Sequence, residues 1–170
     1  KIQLDRISAL IDSKEEYLKK TKIIKQELVK EEKKIILELS PLIESIILGD
    51  KGYIFILNGK NELLIHKDEN LLGKDLSSLK EFGTEKLIVK SLKNAYKKNK
   101  PWHYQWNKPG DLKNFSYKKV AWINYNKFFD WYIVSSIYKE DLELKSQKIN
   151  SMIINISIII LGILIFLSIL

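Results

Sequence analysis

The sequence predicts an α+β fold: a five-stranded antiparallel sheet with a long N-terminal helix and a C-terminal transmembrane helix. Three observations carry this prediction. Apolar residues recur at helical spacing from Ile2 to Ile47. The apolar period then shifts to that of strands. The stretch from Met152 to Leu170 contains no charged residue across nineteen positions.

In the first segment Leu4, Ile7, Ile11, Leu18, Ile24, Leu28, Ile35, Leu39, Leu42 and Ile46 are spaced mostly three, four or seven residues apart, which predicts one long amphipathic helix. Its remaining faces carry Lys and Glu in mixed order, the pattern of a solvated surface. The single proline of the segment, Pro41, falls near its far end.

After Gly49-Asp50 come "YIFIL", Asn58-Gly59 and "ELLIH". Asn-Gly between two apolar runs predicts a tight hairpin in which both turn residues take positive φ. A polar connection follows, with a short helical turn expected at Leu76 to Lys80 and a helix from Glu85 to Lys97 capped by Thr84. Three more strands are expected over Trp102–Asn107, Phe115–Asn124 and Phe129–Tyr138, separated by turns at Pro109-Gly110-Asp111 and near Asn126. A helix starting at Asp141 then runs toward the apolar C-terminal stretch. With the long helix on one sheet face, the other face is left to the connection of residues 67–100, which forms a lid over a pocket.

The final stretch, "MIINISIIILGILIFLSIL", is apolar on every face, as a membrane span must be and a core helix of a soluble protein seldom is. At ~1.5 Å per residue it reaches roughly 28 Å, the thickness of a bilayer's hydrocarbon. A chain that starts at Lys1 and stops inside a span reads as part of a longer protein.

Composition narrows the chemistry. With 45% hydrophobic residues the chain has a core to bury. It has no Cys, which excludes disulfides, thiolate metal ligands and thiol catalysis. Its two histidines, without a tight carboxylate cluster, make no metal-ligand set, so neither metal nor cofactor is expected. The formal charge of +8 admits nucleic acid, anionic lipid or no partner. Lysines interleave with rings in "KKNKPWHYQWNKPGDLKNFSYKK", as in single-strand binding platforms, but the stretch has no Arg to read base edges and belongs to a domain attached to a membrane span. Gly-rich phosphate loops, nucleophile elbows and zinc-binding His-Glu patterns are missing, so no catalytic residue is assigned.

The densest chemistry is "KPWHYQWNKPG". Alternation puts Trp102, Tyr104 and Trp106 on one face and His103 and Gln105 on the other. On the next strand Phe115, Tyr117, Lys119 and Ala121 share a face. If Tyr104 and Trp106 meet Tyr117 and Lys119 under the lid, two phenols, an indole and an ammonium surround a space suited to a carboxylate. The competing reading is that the rings fill core and their polar tips reach water or backbone.

"GYIFILNGKNELLIHKDENLLGKDL", "YQWNKPG", "SYKKVAW" and "FDWYIVSSIYKEDLE", in that order, resemble the single Cache domain, the PAS-like extracytoplasmic sensor of bacterial chemoreceptors and sensor histidine kinases. The resemblance covers about Gly49 to Glu143. It implies four parts: the N-terminal helix at 1–48, a PAS-like ligand-binding domain at 49–143, a juxtamembrane helix at 144–151 and a transmembrane helix at 152–170. It further implies that Tyr104, Trp106, Tyr117 and Lys119, joined by His66 after the second strand, bind a small organic acid such as acetate, propionate or pyruvate. Function then follows as an expectation: residues 1 to about 150 lie outside the bacterial inner membrane, form a homodimer through the N-terminal helix, and signal through the span to the output module of a methyl-accepting chemotaxis protein. A histidine kinase or diguanylate cyclase is the alternative output, and a nucleic-acid module or an enzyme is the remote one.

Overall fold

The apolar periods of the sequence become two layers of side chains on a central sheet. A computed structural model describes residues 1–108, 111 and 114–169. The elements are α1 (Ile2–Lys20), α2 (Lys25–Ser45), β1 (Tyr53–Asn58), β2 (Leu63–Ile65), a 3₁₀ turn (Glu69–Leu71), α3 (Ile88–Lys97), β3 (Trp102–Trp106), β4 (Tyr117–Asn126), β5 (Trp131–Tyr138) and α4 (Lys139–Ile169). The five strands form an antiparallel sheet in the order β2-β1-β5-β4-β3. By its contacts the chain divides into two units, Lys1–Tyr138 and Lys139–Leu170.

Each sheet face has its own core. Ile54, Ile56, Ile65, Trp131 and Ile133 pack against Leu4, Ile7, Ile11 and Leu18 of α1 and Ile35, Leu39 and Ile43 of α2. Tyr53, Phe55, Leu57, Trp102, Tyr104, Trp106, Ala121 and Val134 pack beneath Ile88, Val89 and Leu92 of α3. Each fully buried aliphatic chain contributes on the order of 1.5–3 kcal/mol. Strands β1 and β5, inside the sheet, are therefore buried on both faces, while exposed His103 marks the outer side of β3 at the sheet edge.

Four expectations need correction in detail. The N-terminal helix is two helices: α1 ends where the Thr21 hydroxyl donates to the Leu18 carbonyl, Lys22 enters the left-handed region at φ 52°, and Ile24 is extended before α2. Both helices can then lie on the sheet, and Lys14 of α1 pairs with Glu38 of α2. The β1–β2 turn is wider than Asn58-Gly59. Asn61 N–H donates to the Asn58 carbonyl at 2.9 Å, and Asn61, at φ 71°, is the residue in the left-handed region. Helix α3 starts at Ile88, because Lys80 and Leu87 form a β-bridge that holds residues 81–87 as a loop, and Thr84 accepts from Lys86 N–H inside it. The short helical turn sits at Glu69–Leu71, capped by Asp68, while residues 77–78 form a plain turn. Of the turn expected at Pro109-Gly110-Asp111, the first two residues lie outside the described residues; Asp111 N–H donates to the Lys108 carbonyl at 2.9 Å.

Helix α4, 31 residues long, is a unit by itself. It is long and apolar enough to cross a membrane, with none of its apolar stretch buried. Its charges stop at Lys148, and Ser157 donates to the Ile153 carbonyl at 2.9 Å, which satisfies its hydroxyl within the helix.

Candidate functional site

Strand register sets the lid face of the sheet in rows. Tyr104, Lys119 and Tyr138 lie opposite one another across β3, β4 and β5. The next row runs Trp102, Ala121, Ser136 and Tyr53, through to β1. Ala121 and Ser136 are fully buried and small, which leaves room over them for the large ring of Tyr104 from the neighbouring row. Tyr104 thus brings its hydroxyl to 2.7 Å from the Ser136 hydroxyl. Trp102 stacks on Tyr104 at 3.8 Å with planes 6° apart and donates its indole N–H to Ser91 of α3 at 3.0 Å, tying the lid to β3.

Between the lid and these rings lies a cavity of about 30 Å³. Tyr53, Phe55, His66, Trp102, Tyr104 and Trp106 line it from below, Leu76, Ile88, Val89 and Leu92 from the lid, and Leu57 and Leu63 at one end. One water needs roughly 10–15 Å³ by this measure, so the space suits a group of a few heavy atoms. Its walls are apolar apart from ring nitrogens, two phenol hydroxyls and the imidazole.

Lys119 adjoins this cavity. It is 1% exposed, and its Nζ stands 3.7 Å from the ring centre of Tyr53, 4.5 Å from that of Tyr138 and 5.9 Å from that of Tyr104. Tyr53 and Tyr104 line the cavity, so the ammonium lies directly behind its wall. Burial pushes both phenols above their ordinary pKa, and they remain neutral donors at physiological pH.

His66 closes β2, and its ring packs edge-on against Tyr53 and Phe55 at 5.0 and 5.8 Å. Its Nδ1 accepts from Asp68 N–H at 2.9 Å, which leaves the proton of the neutral ring on Nε2. Burial lowers its pKa to about 4, and the nearby Lys119 charge lowers it too, against the hydrogen bond with the Asp68 backbone.

His66, Tyr104 and Trp106 thus meet at one cavity and Lys119 stands behind it. Tyr117 sits apart: half-buried, it donates to the Asp111 carboxylate at 2.7 Å, takes Lys108 Nζ over its ring at 4.3 Å and meets the Tyr138 ring edge-on. The second phenol of the cavity comes from Tyr53. Among the described residues, no three metal-ligating side chains come together.

A family model described as the Cache domain matches residues 5–158. The chain belongs to the Cache domain family. Solved structures share the Cache fold at low identity. One, "Periplasmic sensor domain of chemotaxis protein", has TM-score 0.63 and 14% identity, covering 81% of this chain and 91% of its own. A second, from "Structural basis for carboxylic acid recognition by a Cache chemosensory domain", has TM-score 0.61 and 16% identity, covering 81% and 90%. A third, a methyl-accepting chemotaxis protein from Vibrio parahaemolyticus RIMD 2210633, has TM-score 0.54 and 22% identity, covering 82% and 98%. No curated protein matches the chain.

Sequence reasoning missed two residues that line this Cache cavity, Tyr53 and Trp102, and two that hold its neighbours, Ser136 against Tyr104 and Tyr138 against Lys119. Trp102 carried a signal, since it shares the face of Tyr104. Ser136 and Tyr138 lie on the lid face of β5 by the same alternation. Tyr53 was hidden in a run buried on both faces, where period 2 leaves no trace.

Proposed function

We propose that this Cache domain is a binding module without catalysis: it senses an organic acid of two to four carbons outside the cytoplasm and signals through the membrane span of α4. The observation that carries the reading is the buried Lys119 ammonium behind a cavity walled by Tyr53, Tyr104 and His66. A carboxylate entering beside it gains a charge-assisted hydrogen bond at low local dielectric, with phenol hydroxyls and His66 Nε2–H as further donors. The apolar lid residues take a short alkyl tail. Admitting such an acid draws Lys119 off the tyrosine rings toward the cavity and shifts the lid to fit.

The acid class agrees with what one solved structure of this fold is described as recognising. Two others come from chemotaxis proteins, which favours a methyl-accepting output module over a kinase or cyclase. Leu10 and Tyr17 remain exposed seven residues apart on α1, the spacing by which two copies of a helix pack as a dimer. The test is calorimetry of the 170-residue chain in lipid nanodiscs with acetate, propionate and pyruvate. Binding by the wild type that weakens about tenfold to a hundredfold in Lys119→Met, the loss of one hydrogen bond to a charged group at roughly 1.5–3 kcal/mol, supports the site. Equal affinity in both rejects it.

A further inference from the structure

We propose that Tyr138 is the positioning residue that couples the state of Lys119 to the membrane helix, an inference that rests on the sensor reading above. Tyr138 is the last residue of β5, is 1% exposed, and lies opposite Lys119 in the β4–β5 register. Lys119 Nζ sits 4.5 Å from its ring centre and Lys108 Nζ 5.2 Å. Tyr117 meets the ring edge-on at 6.5 Å. The Tyr138 hydroxyl donates to the Asn107 carbonyl, just past the end of β3, at 2.6 Å. Its ring is therefore fixed at both ends of its reach.

The residue after Tyr138 is the first of α4. A side chain that is fully packed and hydrogen-bonded at its tip has little rotamer freedom, so a change in its packing passes to its own backbone. Lys119 has the ring of Tyr53 on one side and that of Tyr138 on another. An acid that draws Lys119 toward Tyr104 and His66 takes the cation off Tyr138. The ring then repacks, and the strand end that leads into α4 moves with it. Occupancy is transmitted because the two positions of one ammonium differ in what they hold.

The chain has no cysteine, so Ser146→Cys places a single spin label on α4 in the 170-residue chain in phosphatidylethanolamine/phosphatidylglycerol nanodiscs. Without any acid, Lys119→Met is expected to change label mobility, and the change is expected to fall at least fivefold in the Tyr138→Leu background but to persist in Tyr138→Phe, which keeps the ring. Propionate should move the wild-type label, and Tyr138→Leu should lose that response at propionate concentrations that calorimetry on the same variant shows to be saturating. A Lys119→Met effect that is absent, or equal in the Tyr138→Leu background, overturns the relay. Failure of the wild type to bind propionate removes the ligand reading alone, since the Lys119→Met and Tyr138→Leu comparison needs no ligand. If Tyr138→Leu does not fold, 3-fluorotyrosine labelling decides: the ¹⁹F resonance assigned by Tyr138→Phe must shift in Lys119→Met, and an unmoved resonance overturns the relay.

Discussion

His66 makes the lid side of this Cache domain sensitive to acid, and the size of the effect follows from its burial. Its pKa in the folded chain is about 4, against an ordinary value of 6.5. The unfolded chain therefore binds the proton more tightly, so stability is retained above pH 6.5 and is lost as pH falls toward 4. A difference of 2.5 units at about 1.4 kcal/mol each gives roughly 3 kcal/mol at pH 4. Carboxylates titrate in the same range, so the informative quantity is the difference from His66→Asn. In that variant the Asn oxygen can accept from Asp68 N–H as Nδ1 does, and nothing titrates. The assay is urea unfolding from pH 7 to pH 4 followed by tryptophan fluorescence. All four tryptophans, Trp102, Trp106, Trp122 and Trp131, lie in the unit Lys1–Tyr138 and report its unfolding alone. The wild type should lose about 3 kcal/mol more than His66→Asn over this range. Parallel pH profiles would refute the claim that His66 is held neutral by burial.

Three further outcomes follow. Trp102→Ala removes a ring stacked on Tyr104 and the bond to Ser91, and should cost about 3–5 kcal/mol in urea unfolding; a loss below 1 kcal/mol would mean that the lid does not depend on β3. Asn61→Gly should leave thermal stability nearly unchanged, whereas Asn61→Val, forced to φ 71°, should lose about 1–2 kcal/mol or more. Tyr125 donates to Asp130 at 2.7 Å, and that bond raises its pKa to about 12. Ultraviolet titration should therefore find one phenol fewer ionising near pH 10 than in Asp130→Asn, and identical curves would contradict the bond.

Much of this architecture is legible because each part of the chain has a distinct environment. Apolar residues such as Leu4, Ile7 and Ile11 face the sheet, and Trp102, Tyr104 and Trp106 alternate with solvent-facing His103, so both periods survive in the sequence. The break at residues 21–24 is not legible. Neither Gly nor Pro marks it, and Lys22 takes a positive φ because the sheet offers both helices a surface. The start of α3 is equally hidden, since the Lys80–Leu87 bridge keeps the chain extended past Thr84, where the sequence offers an N-cap. At the site, Tyr104, Trp106 and Lys119 announce themselves through alternation across two neighbouring strands. Alternation puts Tyr117 on the same face, but its neighbours on the Asp111 side, beyond the strands, determine where its hydroxyl points. Tyr53 contributes a phenol that no pattern reveals, because a central strand is apolar on both sides.

The most direct measurement is a crystal structure of the chain with propionate. The carboxylate should lie within hydrogen-bond distance of Lys119 Nζ and the Tyr104 hydroxyl, with Lys119 moved off the Tyr53 ring and the alkyl tail against Leu92 and Val89. A propionate bound elsewhere, or a lid cavity still closed with Lys119 over Tyr53 at saturating propionate, would contradict it.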